Sequence, residues 1–540
     1  EEAMSKTKTP TAIEKREQNR KALEPFTLDN LREQLPLVLS PDPNLPPSPK
    51  SRYRSTYRYL GGDDLNEHTI EVFSPFEISV LLFDYSPLEP LLAAHIYVDS
   101  AKGQVPFHPV SMYLLSLYRR ERNLSRHEVL RTLCHAEDGR VLRRCAGFGE
   151  LEQAGDDFPG ESGLRYFEKQ LTPELQQEIN ALQVDALYLA GLLPTNPDAA
   201  ENEKATLSFD GMLHQARSRL RCSSVQDGCY EAVPRPCPAK EKGKQGCDCS
   251  DKDCAEACRH TTPRDPEARF IVYSGNKRAK TSPNTPVQTR NQRSLPGRMV
   301  YGYYSYAGQF LDDELSTYWM LPAAFGPATC DDPALFPDNF AYLQKRFDWL
   351  KIGEVLADAG ACEQTCLDAI WEAGALRMVD ICAHKSDKDP GIRLARGYDE
   401  NGHPLCPFGY VLHSNGYDYE RRRTKWRCAK QCLRDSENPV PTCDYLKTDY
   451  KHGYTTTVGR THSDDTVRLA REIPYGSPAW KERYGRRNSA ESRNGCLERL
   501  GLKRMPVHGL TSCHVTVLQG DFVANQRTLV RLIREATALL

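Results

Sequence analysis

The spacing of hydrophobic positions changes near residue 200, and it predicts helices before that point and a sheet after it. Residues 70–200 have the pattern of short helices. Within them, FHPVSMYLLSLYRRERNLSRHEVLRTL (107–133) predicts two helices joined by a polar turn, with Ser125 and Glu128 as a capping box for the second. This pair is typical of a helix-turn-helix DNA module, although any helical bundle gives the same pattern.

Beyond residue 200, short apolar and alternating segments predict strands with helices between them. In chain order they are strand ATLSFDG (205–211), strand RFIVYSG (269–275), strand MVYGYYSYAGQF (299–310), helix DPALFPDNFAYLQKRFDWL (332–350), strand IGEVLADAG (352–360), helix CEQTCLDAIWEAG (362–374) and strand ALRMVDI (375–381). This order is that of a ribonuclease-H-like sheet. We therefore expect an α/β fold, namely a ribonuclease-H-like mixed sheet with two Cys-rich insertions, preceded by a helical N-terminal domain.

Changes in composition divide this expected fold into domains. The predicted parts are a flexible N-terminal arm and Pro-rich linker (1–55), a helical DNA-binding domain (56–200), a ribonuclease-H-like catalytic core in three pieces (201–221, 267–383 and 479–510), a Cys-rich insertion with zinc (222–266), a second insertion with a Cys-rich, basic, zinc-binding segment (384–478), and a C-terminal strand or helix (511–540).

The composition of the chain limits the class of protein to which it can belong. Hydrophobic residues make up 39% and charged residues 27% of the 540, a globular mixture that excludes bulk disorder and collagen-like structure. No apolar run is long enough to span a membrane, and the opening EEAMSKTKTP lacks the apolar core of a signal peptide. We expect a cytoplasmic protein, nucleoid-associated in a prokaryote.

The charge of the chain is balanced overall but segregated locally. Lys and Arg number 71 against 73 Asp and Glu, a net charge of −2, which by itself argues mildly against a nucleic-acid-binding protein. Three segments are nevertheless strongly basic, and these are 274–298, 420–430 and 481–504. Such patches suit contact with phosphates, and a solvated surface is the alternative for each.

The 19 cysteines are clustered, and without a secretion signal this favours metal over disulfides. Four in the second insertion predict a closed tetrahedral Zn²⁺ site, and these are Cys406, Cys428, Cys432 and Cys443. In the first insertion a subset of eight candidates would bind one or two further ions, and these are Cys222, Cys229, Cys237, Cys247, Cys249, Cys254, Cys258 and His260. We expect one to three structural Zn²⁺ ions, with reduced cysteines in a disordered loop as the alternative for the first insertion.

Three acidic residues in three separate elements are candidates for catalysis. Asp210 ends the first strand, Asp358 ends the fourth, and Glu491 lies on the last basic helix. In a ribonuclease-H topology these strands are neighbours, so both aspartates would project from one edge, against which the helix packs. Three carboxylates can hold two Mg²⁺ ions about 4 Å apart, or Mn²⁺ in their place, for phosphodiester chemistry. The alternatives are an Asp-Gly turn at Asp210 and a helix cap at Asp358.

The basic helix near residue 490 carries the most specific pattern. Tyr484, Arg487 and Glu491 stand at i, i+3 and i+7, on one predicted helical face. This spacing resembles the YREK signature of DDE-class insertion-sequence transposases, whose strands also end as LSFDG and VLADAG do here. The stretches DPEAR, G-H-P-L-C and K-W-R-C-A-K-Q-C are similar to the same family, so the resemblance covers most of residues 70–540. One departure is that the family's final Lys is Glu498.

The resemblance implies a function and roles for these residues. The family cuts DNA at the ends of a mobile element and joins the freed 3′-hydroxyls to a target. Asp210, Asp358 and Glu491 would be the catalytic triad on two Mg²⁺ ions, and Tyr484 and Arg487 would hold phosphates of the transposon end. Double-stranded DNA is the expected partner, and a homodimer on paired ends is expected because two ends must be joined.

Further DNA contacts are expected from the second insertion and from the end of the basic helix. Arg423, Lys425 and Arg427 lie in the basic segment RRRTKWRC, and Arg499 is one replacement for the missing Lys. Some members of the family flip a base onto an aromatic residue, for which Trp426 is the candidate, with packing beside a zinc site as its alternative. Two other functions remain open: a nuclease of the same fold without strand transfer, and a non-catalytic, zinc-containing DNA-binding protein derived from a transposase.

Overall fold

A computed structural model of the chain describes residues 12–50, 52–97, 104–149, 158–194, 204–217, 265, 267–273, 298–381, 397–399, 401–433, 453–458 and 471–538. Over these residues the fold is mixed α/β, as the hydrophobic pattern predicted. None of the described helices is both long and apolar enough to cross a membrane.

Short helices occupy the first part of the chain. They are α1 (Ala12–Leu23), α2 (Leu28–Gln34), α3 (Glu67–Val72), α4 (Pro75–Leu82), α5 (Leu88–Ile96), α6 (Pro109–Glu121), α7 (Arg126–Leu133), α8 (Arg140–Ala146), α9 (Glu161–Gln170) and α10 (Pro173–Leu189). Two short strands, β1 (Leu37–Val38) and β2 (Phe83–Asp84), pair in parallel among them.

The predicted capping box at the start of α7 is confirmed. The Glu128 N–H donates to the Ser125 hydroxyl at 3.2 Å, and the Ser125 N–H donates to the Glu128 carboxylate at 2.7 Å.

A mixed sheet follows, built from seven strands in the described part of the chain. They are β3 (Ala205–Gln215), β4 (Arg269–Tyr273), β5 (Arg298–Asp312), β6 (Thr317–Met320), β7 (Ala324–Pro327), β8 (Ile352–Ala357) and β9 (Leu376–Val379). The order across the sheet is β4-β5-β3-β8-β9, and β6 and β7 also pair with β5. β3 runs antiparallel to β5 and parallel to β8, which is parallel to β9.

Two helices, α11 (Asp332–Arg346) and α12 (Gln364–Glu372), alternate with the last strands, as the sequence predicted. The strand after the first insertion, β4, is an edge strand, and it pairs with β5 over residues 298–302 only. The antiparallel neighbour of β3 is β5, and it runs from Arg298 to Asp312, longer than the predicted 299–310. The sequence pattern did not identify the short strands β6 and β7, because four residues each are too few to show an alternation.

The second insertion contains a smaller antiparallel sheet of β10 (His413–Asp418), β11 (Arg423–Arg427) and β12 (Thr455–Val458). This sheet is tied to the larger one through Trp371 of α12, whose ring lies 4.8 Å from the Arg377 guanidinium and 4.4 Å from that of Arg422. Arg377 also forms a buried ion pair with Glu472 at 2.6 Å, at the point where the chain returns from the insertion.

The basic helix expected over 479–500 is broken in two, which corrects the prediction of one continuous face. Helix α13 (Pro478–Gly485) ends at a glycine, residues Arg486–Ala490 form a 3-10 helix, and α14 (Glu491–Arg499) begins after it. Gly485 and the Asn and Ser that follow it are poor helix formers, which explains the break. Tyr484, Arg487 and Glu491 therefore belong to three successive elements.

The C-terminal segment is one long helix, α15 (Leu510–Ala538), which packs on both the N-terminal helices and the sheet. The Asn180 amide of α10 donates to the Leu518 carbonyl at 2.8 Å. Further along, Asn525 accepts from the Met320 N–H of β6 at 2.7 Å, and Gln526 donates to the Tyr85 hydroxyl at 2.7 Å. The helices and the sheet consequently share one hydrophobic core.

Candidate active site at the sheet edge

Asp210 lies in β3, and Asp358 directly follows β8, the parallel neighbour of β3. Ser208 of β3 pairs with Leu356 of β8. Asp210 and Asp358 each follow two positions later, so this register brings the two residues to the same level along the strand pair. Asp210 stands in the middle of β3, and the turn reading of Asp210-Gly211 is wrong because both residues continue the pairing with β5.

Asp358 also has the capping role that was its alternative. Its Oδ1 accepts a hydrogen bond from the Gly360 N–H at 2.8 Å, at the start of the 3-10 helix Ala359–Ala361. This bond uses one carboxylate oxygen and fixes the direction of the side chain. Asp358 therefore both caps this 3-10 helix and stands at the end of β8.

A third carboxylate, Asp332, was not identified from the sequence. It lies in the first turn of α11, is 9% exposed, and lies close to the carboxylate of Asp358. The Tyr304 hydroxyl of β5 donates to Asp332. Burial, and then the negative charge of Asp358, raise the pKa of Asp332 to about 7. The segment DDPALF has the pattern of a helix start, and this pattern gave no reason to assign Asp332 any other role.

Because Gly360 has no side chain, the carboxyl groups of Asp332 and Asp358 can lie this close to each other. A Cβ atom there would lie 2.1 Å from Asp332 Oδ2 and 2.9 Å from Asp358 Oδ1. Tyr304 donates to the other oxygen of Asp332, Oδ1, and the Gly360 N–H donates to Asp358 Oδ1, so neither carboxyl group is free to turn. The segment VLADAG therefore lets two acidic side chains approach each other, because residue 360 has no Cβ atom.

The C-terminal segment reaches Asp210 from the other side. The Asn494 amide of α14 donates to Asp210 Oδ2 at 2.8 Å and to the Gly211 carbonyl at 3.2 Å. Arg487 lies 3.8 Å from Asp210 Oδ1 and is 5% exposed. The helix that starts at Glu491 is thus packed against β3, as predicted. The side chain of Glu491 lies outside the described residues.

Tyr484 and Arg487 lie together near the same edge. The Arg487 guanidinium is 5.9 Å from the Tyr484 ring, and that ring stacks on Trp480 at 4.3 Å. Burial raises the pKa of Tyr484 to about 12, and the positive charge of Arg487 opposes the rise. Asp380, which follows β9, accepts a hydrogen bond from the Tyr475 hydroxyl and adds another acidic group that the sequence pattern did not reveal.

A buried polar network holds α14 in place behind this site. His214 of β3 contacts the Leu502 carbonyl through Nδ1 at 2.7 Å and the Ser305 hydroxyl through Nε2 at 2.8 Å. Arg493 donates to Asp521 through Nε at 2.9 Å and through a terminal nitrogen at 3.0 Å. Burial lowers the pKa of His214 to about 3, so the ring is neutral. Residue 493 thus faces the core while residue 494 faces Asp210.

The predicted zinc ligands lie only partly within the described structure. Cys406, Cys428 and Cys432 line one small pocket, and Cys428 Sγ accepts from the Lys430 N–H at 3.2 Å. Cys443 lies outside the described residues. So does the whole set predicted in the first insertion, which comprises Cys222, Cys229, Cys237, Cys247, Cys249, Cys254, Cys258 and His260. Among the described side chains, no three His, Cys, Asp or Glu are arranged to hold a metal ion.

The predicted DNA-contacting residues of the second insertion are on β11. Trp426 is 4% exposed and packs with Tyr398, Leu412 and Val458, so the structure places it in a core and corrects the expectation of an open stacking platform. Arg427 is exposed, Arg423 is half-buried, and Lys425 pairs with Asp418 at 3.4 Å.

At the end of α14 the sequence departs from the family signature. Arg499 is exposed at the last position of the helix. Glu498, which stands where the signature has Lys, forms an ion pair with Lys503. The sequence offers Arg499 or Lys503 as a replacement for that Lys. Lys503 is neutralised by Glu498, whereas Arg499 has no ion-pair partner among the described residues.

Comparison with known proteins adds no family to this description. No protein-family model matches the sequence, and neither a curated protein nor a solved structure matches it.

Proposed function

We propose that this chain is a DNA transposase of the DDE class, in which a ribonuclease-H-like core cleaves transposon ends and joins them to target DNA. The observation that carries the proposal is the hydrogen bond of 2.8 Å between Asn494 and Asp210. It packs α14, which begins at Glu491, against β3, the strand that bears Asp210. The three proposed acidic residues therefore come from three elements that are far apart in sequence.

The strand arrangement supports the ribonuclease-H-like reading of the sheet. The first long strand, β3, is central, an antiparallel strand lies on one side of it, and two parallel strands lie on the other. Crossover helices α11 and α12 precede β8 and β9. A fold alone does not define a function, so the proposal depends on the residues at the edge.

The carboxylate oxygens proposed as ligands at this edge are of the type that a hard divalent cation such as Mg²⁺ or Mn²⁺ prefers. Burial, and then the charge of the nearby Asp358, raise the pKa of Asp332. A cation beside these carboxyl groups would offset their repulsion. Asp210 and Asp358 would hold it, with Glu491 from the start of α14. When bound, two such ions supply a more acidic water or 3′-hydroxyl and neutralise the leaving oxygen.

The other residues of the site would orient these carboxylates and the DNA. Asn494 fixes one oxygen of Asp210, and the Gly360 N–H fixes one oxygen of Asp358. Arg487, buried beside Asp210, would exchange that contact for a phosphate of the transposon end. Arginine is suited to this role, because its planar guanidinium can bind two phosphate oxygens at once.

Other parts of the proposal rest on the sequence. Arg423, Arg427 and Arg499 would add contacts with the double-stranded DNA, and a homodimer would bring two ends together. Structural Zn²⁺ would require Cys443 to join Cys406, Cys428 and Cys432, and one to three ions remain the prediction for the two insertions.

The test uses purified protein, Mg²⁺ and labelled DNA that carries the ends of its own element. Wild type is compared with Asp210→Asn and Glu491→Gln, and joined products are measured as well as cut ones. We expect cutting and joining in wild type and neither in the variants. Cutting without joining would establish a nuclease instead. Binding without any reaction in Mg²⁺ or Mn²⁺ would establish the non-catalytic DNA-binding protein.

A further inference from the structure

A second cluster of charged side chains lies in a cleft between α6, α7, α9 and α15, apart from the candidate active site. The cleft is lined by charged and hydroxyl groups, and those that matter here are Arg119, Arg126, Glu168, Lys169, Ser116 and Thr516. The reaction proposed above gives none of them a role.

Glu168 holds two of these arginines in fixed positions. Its carboxylate accepts from Arg119 Nε at 2.7 Å and from Arg126 Nε at 2.6 Å. The Glu168 side chain is 8% exposed and that of Arg119 is 7% exposed, so this arrangement is largely buried. Both arginines use Nε for Glu168, and no described residue accepts a hydrogen bond from their terminal NH₂ groups. Two guanidinium groups are thus oriented, and the terminal NH₂ groups of both are left without an acceptor among the described residues.

Arg120 adds a positive charge that forms no ion pair among the described residues. It is 1% exposed, and the single described hydrogen bond of its side chain is with the Thr516 hydroxyl at 3.4 Å. Its Nε has no partner in the described part of the chain. Burial, and then the neighbouring charge of Arg119, lower the pKa of Arg120 to about 9. A buried guanidinium is costly unless an anion compensates it.

The charges around the cleft therefore sum to a cationic site. Arg119, Arg126 and Lys169 line it with three positive charges against the one negative charge of Glu168, and Arg120, behind Thr516, adds a fourth positive charge. Thr516 supplies a hydroxyl for a further hydrogen bond. A tetrahedral oxyanion matches this set, because each guanidinium can bind two of its oxygens and a hydroxyl can bind a third.

We propose that this cleft binds a phosphate group, and, resting on the function proposed above, that this phosphate belongs to the DNA backbone. Glu168 is a positioning residue in this site, since it orients Arg119 and Arg126 without touching the phosphate. The bound group would also compensate the buried charge of Arg120. The site would fix the DNA against the N-terminal helices without reading its sequence.

The first experiment measures duplex binding by fluorescence anisotropy over a range of salt concentrations. Arg126→Gln and Lys169→Gln are compared with Arg165→Gln, a control in which an exposed arginine of α9, paired with Glu161, is removed. We expect Arg126→Gln to weaken binding about tenfold and to reduce the slope of log K against log salt by about one. Lys169→Gln should act in the same direction. Equal affinities and slopes in all three variants would overturn the assignment to DNA.

The second experiment separates the phosphate site from the DNA function. Melting temperatures are measured in inorganic phosphate and in chloride at equal ionic strength, for wild type and the same variants. Phosphate should stabilise wild type and Arg165→Gln, and it should stabilise Arg126→Gln and Lys169→Gln less. Equal stabilisation of every variant would overturn the site. Selective stabilisation in a protein that does not bind DNA would keep the site, assign it to free phosphate, and count against the transposase.

Because Lys169 is exposed, its variant tests the site even if loss of Arg126 prevents folding. A folded Lys169→Gln protein with wild-type responses to both DNA and phosphate would also overturn the proposal.

Discussion

The side-chain amide of Asn494 donates to Asp210 Oδ2 at 2.8 Å, across 284 positions of sequence. Asp210 is central in β3, and Asn494 lies in the first turn of α14. The bond therefore sets the direction of a carboxylate on a rigid strand and also fixes the helix beside it. A hydrogen bond to a charged group is worth about 1.5–3 kcal/mol.

Replacing Asn494 by Ala should lower the rate of DNA cleavage by about tenfold to a hundredfold, because Asp210 loses the donor that orients it. The rate is measured in a single-turnover cleavage assay with Mg²⁺. The control is Asn30→Ala, which removes an exposed amide in α2 that binds only a local carbonyl. Equal rates in the two variants would show that Asn494 is not needed to orient Asp210.

Replacing Gly360 by Ala should separate Asp332 from Asp358, because the new methyl group would stand 2.1 Å from Asp332 Oδ2. We expect a loss of cleavage of at least about tenfold and a loss of about 1–3 kcal/mol in unfolding free energy. The matched control is Gly163→Ala in α9, where a Cβ meets nothing within 4 Å. That change should stabilise the protein by about 0.5–1 kcal/mol. Similar activity and stability in both variants would contradict the steric argument.

His214 should make the protein less stable in acid. Its pKa is lowered to about 3 by burial, against 6.5 for the ordinary side chain. Below pH 6.5 the unfolded chain binds a proton there that the folded chain does not, so stability falls as the pH falls toward 3. The expected slope is about 1.4 kcal/mol per pH unit. Urea denaturation at several pH values measures it.

The His214→Gln variant should be less stable at pH 8 and should lose this contribution to the slope. An exposed histidine in α3 offers the control, since His68→Gln should leave the pH dependence as it is in wild type. A His214→Gln profile parallel to that of wild type would mean that another group causes the acid sensitivity.

Arg493 and Asp521 form an ion pair that is buried on both sides, with side chains 0% and 1% exposed. Arg493→Met should cost about 3–5 kcal/mol of unfolding free energy, because it leaves the Asp521 charge in the core without a partner. The double variant Arg493→Met, Asp521→Leu should recover much of that loss, since both charges are then absent. Additive losses in the double variant would show that the two side chains do not compensate each other.

The sequence predicted the parts of the site that depend on a single segment. Asp358 was predicted from a buried apolar run that stops at an acidic residue, and Asp210 was predicted from the first strand. The neighbouring strands that position these two residues were therefore both predicted.

Asp332 was missed because its surroundings depend on where α11 lies relative to β8, and nothing within DDPALF indicates that position. The break at Gly485 was missed because the Y-x-x-R spacing is equally compatible with a continuous helix. The side chains of Trp426 and Asn494 likewise acquire their surroundings only from distant segments.

Helix α15 has a consequence for the order in which the protein can fold during its synthesis. The Asn180 amide binds a carbonyl of Leu518, which the ribosome adds 338 residues later. At about 5–20 residues per second, the first helices wait on the order of half a minute for the helix that covers them. Throughout that time Asn180 and Gln183, both buried in the finished protein, lack the carbonyl acceptors that α15 supplies. The nascent N-terminal helices are therefore a natural substrate for chaperones.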